Sequence, residues 1–207
     1  MRSLFDPKPI KRGTVTVELK PADIILVRGG GSVARIIRFL TGSQFNHAAM
    51  VVTKTQRWDR YLIAEAERIG VVFRVLQTKY DPDDIAIYRD SSLTDDHRWG
   101  VARAALEMDG TPYDFLMPVR LLKRFGVRYS LKVLYDMLKN PREARIPHIR
   151  SNWILCSEMV QEAYSSESLH LISDDQLLVP GHIEILGYLD EIWRGKNVKG
   201  SRRMVTN

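Results

Sequence analysis

Cys156 is the only cysteine of the chain, and it stands where a thiol can be made reactive. The run Trp153-Ile154-Leu155 precedes it, and a helical pattern follows, with Met159, Val160, Ala163 and Tyr164 on one side and Ser157, Glu158, Gln161 and Glu162 on the other. The spacing predicts an amphipathic helix with Cys156 at or just before its first turn. Free N–H groups and the helix dipole at that end favour a thiolate, and the same groups can hold an oxyanion. A lone cysteine is also a common small, buried apolar residue, so the chemistry depends on its partners.

A thiol nucleophile needs a base to take its proton and a third group to orient that base. Of the five histidines, His97 falls near the start of a polar helix, and His148, His170 and His182 fall in loops. His47 heads the apolar run Ala48-Ala49-Met50-Val51-Val52 straight after the turn Thr41-Gly42-Ser43, where a side chain is both fixed and reachable. A strand histidine is also often a satisfied core residue. The third group is expected to be Glu65, on a strand that pairs with that of His47. Glu67 has the same parity, so alternation does not choose between them.

The remaining elements must position these three. Ile24–Val27 reads as a strand buried on both faces. Gly29-Gly30-Gly31 breaks it, and Ser32 reads as the N-cap of a helix whose apolar residues are Val33, Ile36, Ile37 and Leu40. Strands are expected near 47–52, 61–66, 71–75 and 85–88, with a turn at Trp58-Asp59-Arg60 and a loop at Asp81–Asp84. A helix is expected over Asp95–Met108, with Trp99, Ala102 and Leu106 on one stripe. Thr14-Val15-Thr16-Val17 alternates like a strand in an otherwise irregular arm. The mixture predicts an α+β chain with a small antiparallel sheet.

In this order the residues resemble a known family. Pro21–Val27, the run Ile36–Val52 with its Thr-Gly-Ser-Gln-Phe-Asn-His turn, Ala64-Glu65-Ala66, Tyr113-Asp114 and Leu155-Cys156-Ser157-Glu158-Met159-Val160 are similar to the permuted NlpC/P60 superfamily of papain-like enzymes, in its YiiX/YaeF-type branch. The resemblance spans about 21–185 apart from a basic segment. It implies a circularly permuted papain-like fold with Cys156 as nucleophile, His47 as base and Glu65 as the orienting residue. Asn46 stands where the family commonly has serine, and Ala48-Ala49 replaces a bulkier pair. The family holds amidases, peptidases and acyl-transfer enzymes. The expected function is therefore a thiol hydrolase acting through a thioester acyl-enzyme, on cell-wall peptide or a lipid-linked substrate. The alternative is a non-catalytic binding or structural component that keeps the fold.

Composition bounds the rest. The length suits one domain over 1–207, with a core at about 21–190. The net charge of +6 is concentrated at 115–150, where nine basic residues face two acidic ones. That segment, with Leu121, Leu122, Phe125, Leu131, Leu134, Met137 and Leu138, reads as a helical insertion. Gly126 is expected to break it and Pro141 to end it. Its charge suits an anionic substrate or surface, such as a cell-wall polymer or anionic lipid. No motif points to specific nucleic-acid binding. Gly29–Gly31 lacks the Gly-Lys-Ser/Thr of a phosphate loop. Asp81, Asp83 and Asp84 are too compact for a calcium loop. No cofactor or metal is implied. The N-terminus lacks the apolar core of a signal peptide, so the expectation is a cytoplasmic protein or one exported without such a signal.

Overall fold

The computed structural model describes residues 15, 17–55, 59–140, 144–149 and 151–198, with Pro118 described in its backbone alone. Six strands form one sheet: β1 (Ile24–Val27), β2 (His47–Thr55), β3 (Arg60–Glu67), β4 (Gly70–Val75), β5 (Ile85–Asp90) and β6 (Leu189–Arg194), in the order β4-β3-β2-β1-β5-β6. Every neighbouring pair is antiparallel. β1 lies inside the sheet, with Ile25 between Ala49 and Ile87, which explains why its residues are apolar without alternation.

The two faces bury two clusters. On one face Ile24, Leu26, Ala48, Met50 and Ala64 meet α3 (Asp95–Glu107) and α5 (Cys156–Ser165). On the other, Ile25, Val27, Ala49, Val51 and Ile63 meet Leu19 and Leu76. Leu76 opens the short helix α2 (Leu76–Lys79). Tyr164 is fully buried, and its hydroxyl donates to Ala22 O at 2.9 Å, fastening α5 to the entry of β1.

The edge strand β4 is protected by the chain after α3. Val71 N–H donates to Thr111 O (2.8 Å), and Gly110 N–H donates to Val71 O (3.0 Å). Gly70 has φ 110°, and a Cβ there would stand 2.7 Å from Thr111 O, so glycine is needed on both counts. The same strap continues to the cysteine. Ile154 N–H donates to Pro112 O, and Asp114 N–H donates to Ile154 O. The strand beside Glu65 is thereby tied to the residues that lead into Cys156.

Several sequence expectations change. Ser32 begins α1 (Ser32–Thr41) rather than capping it; Gly31, at φ 94°, is the N-cap and no side chain caps the helix. Val33 and Ile36 are exposed, so the apolar spacing of α1 does not mark a core face. In α3 Trp99 and Leu106 are exposed, and the buried stripe is Arg98, Val101, Ala102, Ala104 and Ala105. Asp81–Asp84 contains a 3-10 turn, in which Asp81 caps Asp83 N–H. α4 (Met117–Lys139) is interrupted at Gly126, whose φ of 78° and ψ of 171° are not helical. The basic segment is thus helical up to Lys139. Pro141, Trp58, Thr14 and Thr16 lie outside the described residues, and Val15 and Val17 are not in a strand. β6 and the short α6 (Pro180–Ile183) had no clear periodic signal. No described helix is long and apolar enough to cross a membrane.

Candidate active site

Cys156 is the first residue of α5, and its side chain is 7% exposed. The helix start is held by side chains. Glu158 Oε2 accepts from Leu155 N–H at 2.9 Å, and Glu158 Oε1 lies 2.6 Å from His148 Nε2. Ser157 Oγ donates to Leu178 O at 2.6 Å, and Gln161 bonds both Gln176 O and Leu178 N–H. Ser157, Glu158 and Gln161 are therefore buried, although their pattern had suggested a solvent face. Ser157 and Gln161 satisfy backbone groups of Gln176 and Leu178, and Glu158 satisfies Leu155 N–H.

His47 opens β2 at the rim of the sheet. The turn before it is fixed by Asn46, whose Oδ1 accepts from Gly29 N–H (2.8 Å) and from the Arg38 guanidinium (3.0 Å). A Cβ on Gly29 would lie 3.1 Å from Asn46 Nδ2. The glycine run thus admits Asn46 against the end of β1.

The structure brings Cys156, His47 and Glu65 together. His47 Nε2 lies 2.8 Å from Glu65 Oε2, with the two side chains 18% and 0% exposed. The Cys156 thiol lies close enough to the same ring for each group to shift the other's titration. Because Nε2 is engaged by Glu65, Nδ1 is left for the sulfur. Glu67, the other acid of that parity, pairs with Lys79 and Arg74 instead.

Burial opposes charge on both members of the thiol–imidazole pair, and their mutual attraction overrides it. Burial alone would lower His47, but the charge and hydrogen bond of Cys156, followed by those of Glu65, raise it to about 10. Burial pushes the Cys156 thiol up, whereas the charge and hydrogen bond of His47 and the N–H groups of Ala48 and Ser157 bring it below its ordinary value. The arrangement favours a thiolate–imidazolium pair.

Two tyrosines join the site without having been assigned roles from sequence. The Tyr80 hydroxyl donates to Glu65 Oε2, and its ring lies 6.3 Å from that of His47. Burial, then the Glu65 charge, raises Tyr80, so it remains a donor. Nothing in its local sequence marks it, because it reaches the site from the segment after α2. Tyr113 is bridged to Ile154 and is raised by burial and then by the nearby Cys156 charge. The Tyr113-Asp114 pair is its one sequence signal. The second oxygen of Glu65, Oε1, is 3.7 Å from Lys79 Nζ.

No family model matches the chain, and no curated protein matches it. Among solved structures, the metalloprotein yiiX of Escherichia coli O157:H7 is similar, with a TM-score of 0.59 and 15% identity over 84% of this chain and 97% of that one. At this identity the likeness is one of fold. Among the described residues, no group of three or more His, Cys, Asp or Glu side chains can hold a metal ion. The chain has a YiiX-like α+β fold.

Proposed function

We propose that this chain is a cysteine hydrolase or acyltransferase on a circularly permuted papain-like scaffold, with Cys156 as nucleophile, His47 as its proton partner and Glu65 as the positioning carboxylate. The observation that carries this reading is the buried His47–Glu65 pair, 2.8 Å apart, with the Cys156 thiol at the start of α5 near enough to the same ring to raise its pKa. A buried histidine serving the core alone has no need of both a thiol and a carboxylate.

The thiolate attacks the carbonyl carbon of an amide or ester and forms a C–S bond, while the carbonyl π pair moves to oxygen. The backbone N–H of Cys156, at the start of α5, is the proposed donor to that oxyanion. Collapse breaks the bond to the leaving amine or alcohol, which takes the proton held by His47. Water, or an acceptor amine or alcohol, then attacks the thioester and gives its proton back to His47 as the thiolate leaves. Cell-wall peptides and lipid-linked acyl compounds are the substrate classes proposed.

The test is trapping of the acyl-enzyme. Incubation with activated acyl esters should add one acyl group to the wild-type mass, at Cys156, and release it with time. Cys156→Ala should acquire none while keeping the wild-type circular dichroism spectrum. Absence of an adduct across short, long and aminoacyl esters would count against the proposal.

A further inference from the structure

α4 is seated on the protein by few residues. Leu121 and Val133 are buried with Ile146, Leu177 and Val179, and Met117 and Met137 pack partly against them. The rest of the helix divides by spacing into two exposed sectors. Val127, Leu131, Leu134 and Leu138 recur at i, i+4, i+7 and i+11, which aligns them on one face. All four are exposed, Val127 by 62% and Leu131 by 59%. Next to them round the helix stand Arg128, Lys132 and Lys139, also exposed. Before Gly126 the pattern repeats, with Val119 and Leu122 exposed beside Lys123 and Arg124. Asp136 is the one acidic residue of α4. α1 packs beside α4 and adds exposed Val33, Ile36 and Phe39.

An apolar row flanked by a cationic row, with one acid in 23 residues, matches a surface that is both anionic and apolar beneath. A second copy of the chain docked by a two-fold axis would bring the same cations into apposition. A polar polymer would answer the cations and leave the leucine row uncovered. We propose that α1 and α4 form a platform that docks on an anionic lipid bilayer, with the leucine row entering the headgroup boundary and the cations meeting lipid phosphates. The platform adjoins the cysteine. Exposed Phe115, just before α4, meets the Tyr113 ring in a tilted contact with centroids 4.9 Å apart, and Arg120 lies over the ring of Trp153, three residues before Cys156.

The docking does not rest on thiol chemistry, so its failure and that of the proposed reaction are separable. The experiment is co-sedimentation of the full chain with phosphatidylcholine vesicles with and without phosphatidylglycerol, and with purified peptidoglycan, at low and high salt, together with sedimentation velocity of the protein alone. The wild type and Cys156→Ala should bind the anionic vesicles alike. Binding should fall at least about tenfold between 0.05 M and 0.5 M salt, because exposed charges are screened over shorter distances there. Leu131→Ser with Leu134→Ser, and separately Lys123→Gln, Arg124→Gln, Arg128→Gln and Lys132→Gln together, should each weaken it at least about tenfold with unchanged circular dichroism. The wild-type salt series decides the matter even if a multiple variant misfolds. Failure to bind anionic vesicles at low salt overturns the proposal, as does equal binding to neutral ones. So does binding to peptidoglycan alone, or a dimer that Leu131→Ser breaks in the absence of vesicle binding.

Discussion

His47 and Glu65 meet diagonally across two strands. The register sets Ala49, not His47, opposite Glu65, so the carboxylate reaches back along the sheet to Nε2 at 2.8 Å. Glu65 is fully buried, whereas Glu67 lies nearer solvent between Lys79 and Arg74. Diagonal neighbours across an antiparallel pair are within reach of long side chains, and burial gives the diagonal contact its strength here.

Glu65→Gln should therefore slow alkylation of Cys156 at pH 6 by about tenfold or more, since a charge-assisted bond to the imidazolium is worth about 1.5–3 kcal/mol. Glu67→Gln should change it by less than about twofold, because that carboxylate is screened and does not touch the ring. Stopped-flow alkylation of the two variants measures both.

Tyr80→Phe removes one donor to Glu65 and leaves the ring in place. A lost hydrogen bond of this kind costs about 0.5–1.5 kcal/mol, so alkylation should slow by about two- to tenfold. Unaltered pH dependence in Tyr80→Phe would show that the hydroxyl does not hold the carboxylate.

The start of α5 depends on Glu158 and its partner His148. Glu158→Ala removes the side-chain cap of Leu155 N–H and leaves His148 buried without its carboxylate. The expected loss is about 1–3 kcal/mol, or roughly 2–12 °C in Tm for a chain of this size. Calorimetry tests the stability, and alkylation of the same variant reports whether Cys156 stays in place.

The thiolate and imidazolium also make stability depend on pH. His47, raised from 6.5 to about 10, contributes stability that is complete below its unfolded value and is lost as pH rises through about 10. Cys156, lowered from 9.0, contributes stability that is complete above its unfolded value and is lost as pH falls through its folded one. Where the two ranges overlap below the unfolded thiol value of 9.0 the slopes oppose each other, and above 9.0 the loss carried by His47 alone remains up to about 10. In Cys156→Ala the largest cause that raises His47 is gone. Its imidazole should then titrate at least about one unit lower by NMR, an amount set by losing roughly 1.4 kcal/mol or more of attraction.

The sheet and the cysteine helix were legible because their apolar runs are long and bounded by glycine and proline turns. β2, for example, runs apolar from Ala48 to Val52 after the Gly42-Ser43 turn. Glu65 could not be separated from Glu67, since parity places both on one face and the choice depends on which acid is desolvated. Ser157, Glu158 and Gln161 misled because polar side chains that satisfy buried backbone look the same in sequence as those that face water. In α3 the buried stripe contains Arg98, which donates to Asp90 O and lies 3.7 Å from Asp23 Oδ1, and small alanines carry the rest. The apolar spacing of α1 was real, but periodicity reports an apolar face without reporting what covers it. Tyr80 was invisible because its contact with Glu65 joins residues 15 apart through the β4–α2 turn.

The most direct measurement is the rate of Cys156 alkylation by iodoacetamide from pH 4 to pH 10, in the wild type and in His47→Gln. The account predicts that the wild type already reacts near its plateau rate at pH 6, and that His47→Gln reacts there at least about tenfold more slowly and speeds up towards pH 9, as an ordinary thiol does. A wild-type rate that climbs about tenfold per pH unit through pH 8, with the same profile in His47→Gln, would contradict it.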